Sequence, residues 1–192
     1  MKSPLIQIKN LHISFLAAET PSVATTLEPF AVKRSSAVDN ATSVPALGEF
    51  WPGQGGIYAG IRQYADGLRH VVFSAEDVGE HEWGAYGVEV EASSRIDGRI
   101  NSQVLTANGG HPAASAAANY TADGLTDFYL PSIGELSHGW QFIPEHFKRD
   151  WHWSSTQRSA DNAFYVYFDD GDQNGYGKSN ELRVRPVRSW LI

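Results

Sequence analysis

Apolar and polar positions along the chain change phase several times, and each phase implies a different local structure. Between Leu5 and Phe15 they alternate in two phases, Leu5/Ile6/Ile8 and then Leu11, Ile13 and Phe15, which is strand-like. From Ala17 to Pro45 the sequence turns to Ala, Thr, Ser, Val and Pro without a sustained period, as in an extended arm or linker. A folded domain is expected from near Leu47, dividing the chain into an attachment arm or linker, residues 1–46, and a domain, residues 47–192. Within the domain, strands are expected at Gly56 to Ile61 and at Arg69 to Ser74. In the second, Val71 and Phe73 share one face and Val72 takes the other.

The middle of the chain is more helical. Asn101 to Ala107 and Pro112 to Tyr120 are rich in Ala, and Pro112 suits a first helical position. Ser132 and Glu135 have the spacing of a capping box, so a short helix should run from Ile133 toward Trp140. Strands return at Trp151 to Ser155, Ala163 to Phe168 and Leu182 to Arg188. If Phe164, Val166 and Phe168 point inward, then Tyr165 and Tyr167 point outward together with the polar tip that follows. Six Trp, eight Tyr, nine Phe and 18 Gly favour a loop-rich or β-rich α+β domain over a helical bundle.

Charge and Cys content remove several function classes. A formal charge of −7 argues against nucleic acid or an anionic membrane surface as the main partner. The chain has no Cys, which excludes disulfide scaffolds, thiolate zinc sites and Cys nucleophiles. Polar residues interrupt the apolar positions of Met1 to Ala18, so neither a cleaved signal peptide nor membrane insertion is expected. No His-Glu-x-x-His arrangement is present, and Ser154-Ser155-Thr156 lacks a nucleophile elbow, so these hydroxyls read as hydrogen-bonding residues. Asp170-Gly171-Asp172-Gln173-Asn174-Gly175 with Glu181 matches the letters of a calcium-binding EF-hand loop. Its flanks, Phe164 to Phe168 and Leu182 to Arg185, are strand-like, so a Gly-rich connection between two antiparallel strands is the expected structure. Neither a metal nor a cofactor is expected.

Three blocks in the C-terminal third carry a resemblance. Asp127-Phe128-Tyr129-Leu130-Pro131-Ser132-Ile133-Gly134-Glu135-Leu136 resembles the W-R-L-P-T-x-x-E-L opening of the Lcl C-terminal-like domain family. Trp153-Ser154-Ser155-Thr156 is similar to its W-S-S-T signature. Ala163-Phe164 through Phe168, Gly171, Lys178 and Val184-Arg185-Pro186-Val187-Arg188 resemble its A-W-x-V-x-F-x-x-G … K … V-R-P-V-R ending. Tyr129 stands where that family often has Arg. The stretches Trp51 to Gly56 and Asp97 to Ala114 look like the upstream half of phage-encoded members.

The resemblance implies a C-type-lectin-like fold of small antiparallel sheets, two or three short helices and many loops, carried on an extended N-terminal arm. It also implies a non-enzymatic phage virion protein, such as a tail or head fibre component, that binds a receptor for host attachment or adhesion. The expected ligand-binding residues are Trp153, Gln157, Arg158, Asn162, Tyr165, Tyr167, Asp172, Gln173, Asn174 and Tyr176, whose mix of rings and short polar groups suits a recognition surface. Expected partners are a host-surface glycan or protein, other virion proteins through the arm, and further copies in a homo-oligomer. A structural decoration protein contacting other virion proteins is the alternative. An enzyme of the formylglycine-generating type shares the fold, but its copper chemistry uses Cys thiolates that this chain lacks.

Overall fold

In the computed structural model, residues 43–192 are described; the expected attachment arm up to residue 42 lies outside them. These residues form an α+β structure with three α-helices and two sheets, and no helix among them is long and apolar enough to cross a membrane. The first sheet has the order β1 (Phe50–Trp51), β2 (Gly56–Tyr64), β3 (Gly67–Ser74) and β9 (Val187–Leu191), all antiparallel. The second has the order β4 (Glu80–Glu82), β8 (Glu181–Arg183), β5 (Trp151–Gln157), β6 (Asn162–Tyr167) and β7 (Gln173–Gly177). Only the β8/β5 pair is parallel.

The expected parity of β3 holds. Val71 and Phe73 enter a core with Ile57, Leu136, Ile143, Val166 and Val187, between the first sheet, α3 (Ile133–Phe142) and one face of the second sheet. Val72 turns to the opposite face, under Trp51 and Tyr58. A second core lies on the other side of the second sheet. There Trp153, Tyr165 and Leu182 meet Trp83, Leu105 of α1 (Gly98–Asn108) and three alanines of α2 (Pro112–Ala118). Pro112 is the first residue of α2, where its missing N–H costs nothing.

The capping box at the start of α3 is present and has a larger role than the spacing implies. Ser132 Oγ accepts from the Glu135 amide, and Glu135 reaches back to the Ser132 amide. Glu135 is completely buried, and its Oε2 also accepts from the Gly98 amide at 2.9 Å. Its Oε1 accepts from the hydroxyls of Tyr64 and Tyr129, each at 2.8 Å. One carboxylate therefore joins β2, the start of α1, the start of α3 and the Tyr129 segment. Tyr129 also bridges to β9 through backbone bonds with Val187.

Two strand expectations need correction. Leu182 to Arg188 is not one strand: it leaves the second sheet after Arg183 and joins the first at Val187. Pro186 has no N–H for a ladder and breaks the run. The Asp170 to Glu181 segment is also more than a connection, because it contains β7. That strand pairs with β6 in a tight hairpin, whereas the strand after it, β8, lies between β4 and β5.

Candidate functional site

Residues two apart on a strand share a face, so β5 and β6 place Trp151, Trp153, Tyr165 and Tyr167 on one side of the second sheet. Their register pairs Trp151 with Tyr167 and Trp153 with Tyr165, while β7 sets Asn174 beside Tyr165 and Tyr176 beside Ala163. Trp151 is the hub of the resulting ring cluster. It stacks on Tyr165 at 5.1 Å and 17°, and meets Tyr176 edge-on at 5.0 Å and Tyr167 edge-on at 6.1 Å. Trp151, Tyr167 and Tyr176 are half-buried, so the cluster reaches solvent at the edge of the sheet. Offset and edge-on ring pairs of this kind hold one another rigidly.

The ten expected site residues do not all lie on this face. Tyr167, Tyr176, Asp172 and, by its register with Tyr165, Asn174 do, with Asp172 accepting from the Tyr165 hydroxyl at 3.1 Å. Burial, followed by that carboxylate, raises the Tyr165 phenol above its ordinary pKa. Tyr165 itself is 7% exposed and Trp153 is fully buried, so both are core residues here and not presented surface. The one-sided reading of the sheet fails because α1, α2 and Trp83 cover its second face too. Trp153 Nε1 donates to the His81 carbonyl, tying β5 to β4.

The remaining polar candidates are dispersed. Gln157 is bonded to the backbone of Val90 through both ends of its amide and accepts from Lys178 Nζ. Asn162 is held by Ser159. Arg158 bonds to Asn174 Oδ1 but lies over Phe164, on the opposite face from Tyr165. Gln173 pairs with Val166, again on that opposite side, although it is exposed. The residue the sequence reading left out is Trp151. Its position two before Trp153 was the available signal.

The other chemistry-bearing groups hold the framework. Ser154 Oγ donates to the Phe164 carbonyl, and Thr156 Oγ1 donates to the Ser94 carbonyl while accepting from the Ile133 amide. Lys178 is fully buried, with Nζ donating to the Val88 carbonyl and to Gln157 and sitting 4.8 Å from the centre of the Trp83 ring. Burial pushes its ammonium down to about 8. A second buried polar group joins Asp77 to Arg185 at 3.2 Å and to His152 at 3.4 Å. Burial opposes ionisation of Asp77, but contacts with His152 and Arg185 hold its carboxyl below the usual carboxylate range.

Asp170 to Glu181 is folded as a turn, a strand and a second turn between strands, which is not the helix–loop–helix frame of an EF-hand. Among the described residues, no three His, Cys, Asp or Glu side chains are grouped to hold a metal ion. Neither a family model nor a curated protein sequence matches the chain.

Proposed function

We propose that the chain is a non-enzymatic recognition protein whose C-type-lectin-like domain engages a host-surface glycan or protein through the Trp151/Tyr167/Tyr176 face. The observation that carries this reading is the ring cluster itself: three half-buried aromatic side chains, packed on one another and on the buried Tyr165, gathered on one face of the second sheet. Rigid rings offer large contact area at small entropic cost, and Asp172 and Asn174 beside them supply adaptable hydrogen bonds. The buried hydroxyls of the W-S-S-T strand are engaged in holding loops, which suits a scaffold better than a nucleophilic centre.

The lectin-like reading draws support from the motif residues. The W-S-S-T block is the central strand β5, Lys178 pins the loop at Val88, and the V-R-P-V-R block crosses from one sheet to the other. Two small sheets joined by many loops agree with the resemblance to the Lcl C-terminal-like family. In this reading the protein belongs to a phage particle, the N-terminal segment attaches it to other virion proteins, and copies assemble as a homo-oligomer. The test is competition. Purified full-length chain added in excess should block adsorption of the particle to its host, and antibody against the domain should label the particle surface. Unchanged adsorption together with unlabelled particles would overturn the proposal.

A further inference from the structure

A groove of about 780 Å³ lies on the other side of the β6–β7 turn from the ring cluster, within the ~300–1,000 Å³ range of small-molecule sites. The two surfaces are distinct, because Phe168 belongs to the first core whereas Tyr167 packs against the second. Phe147 and Phe168, stacked at 4.0 Å, form the floor, and the half-buried Trp140 indole forms one wall. Around the rim stand four exposed polar side chains: Gln141, Glu145, Arg149 and Asp169.

From this arrangement we infer that the groove binds a neutral carbohydrate, one or two pyranose units long. A pyranose presents a C–H face that packs on an aromatic ring, and an edge of hydroxyls that each donate and accept. The rim matches that edge, with two carboxylates as acceptors, a guanidinium as donor and a carboxamide as both. A charged ligand would meet both signs of charge, whereas a neutral polyol uses both. The rim groups are only weakly held: Arg149 and Asp169 are 3.6 Å apart with side chains 84% and 46% exposed, Glu145 lies 3.6 Å from His146 Nε2 and is 65% exposed, and such surface pairs are weak.

The wall is preset. The Trp140 indole lies against Gly171, where an added Cβ would come within 2.5 Å of Trp140 Cζ2. That contact orients the ring before any ligand arrives, which reduces the entropic cost of binding.

This inference does not rest on the ring-cluster face, and its test keeps the two apart. The full chain is titrated with lactose, maltose, cellobiose and N,N′-diacetylchitobiose, with Trp fluorescence and calorimetry as readouts. At least one of the four should bind. Asp169→Ala and Gln141→Ala, both at exposed positions, should each weaken that binding by about tenfold with the melting temperature unchanged. Tyr86→Ala, at a 60% exposed position outside both the groove and the ring cluster, should leave it intact. Absence of binding by all four sugars, or binding that survives both rim substitutions, would overturn the assignment.

Discussion

Removing the Glu135 carboxylate should cost more stability than any surface substitution in the domain. Glu135→Ala leaves the Gly98 and Ser132 amides without their shared acceptor in a fully buried place. An unpaired buried donor costs about 1–3 kcal/mol, so the two amides alone account for about 2–6 kcal/mol. The hydroxyls of Tyr64 and Tyr129 also lose their acceptor, although Tyr129 keeps Ser189 Oγ at 2.9 Å. A total near 5 kcal/mol is a large fraction of the roughly 5–15 kcal/mol that holds a domain folded. Glu135→Gln should cost less, about 1–3 kcal/mol, because its amide oxygen can take the Oε2 position and its NH₂ can donate to a phenol oxygen. Urea titration followed by Trp fluorescence reads both values, with the slope held constant. A loss below about 2 kcal/mol for Glu135→Ala, or a larger loss for Gln than for Ala, would refute the reasoning.

Acid should weaken the fold in a window set by His138, whose Nε2 bonds the Ala59 carbonyl at 2.7 Å and whose pKa burial pushes down to about 4. The unfolded state then takes up a proton near pH 6.5 that the folded state refuses, so stability is full above 6.5 and falls toward pH 4. The loss should be about 2 kcal/mol after allowance for the partly exposed ring, and His138→Gln should flatten that stretch of the stability profile. Calcium should leave the melting temperature nearly unchanged, because Asp170 to Glu181 is built as strand and turns; a saturated site would add about 3–4 kcal/mol. Gly171→Ala should destabilise by about 2–4 kcal/mol, since its φ is +83° and the new Cβ would strike Trp140; a neutral result in thermal unfolding would contradict that packing.

Much of the fold was legible where strand parity or a contact within one turn decides it. In β3 the alternation of Val71, Val72 and Phe73 assigned each side chain correctly, because the first sheet sorts its faces between two separate clusters. The capping box was readable for a similar reason, being a contact within four residues. The second sheet was harder. Phe164-Tyr165-Val166-Tyr167-Phe168 is apolar at every position, a pattern that suits a strand covered on both faces, and treating it as one-sided placed Tyr165 outside. Trp153 was misplaced for the same reason. The long-range role of Glu135, which collects donors from Tyr64 and Gly98, has no local signature. Nor could the sequence show that Gln157 would be taken by the Val90 backbone.

The most direct test of the account compares Tyr176→Ala with Phe168→Ala in the adsorption-competition assay, with melting temperature measured on the same samples. Tyr176 is half-buried at the sheet edge and Phe168 is 3% exposed in the first core. Loss of a binding anchor costs about 1–3 kcal/mol, so Tyr176→Ala should weaken competition about tenfold or more while melting near the parent temperature. Phe168→Ala should lose about 3–5 kcal/mol of stability instead. Should Tyr176→Ala compete as well as the parent chain while remaining folded, the ring cluster is not the recognition face.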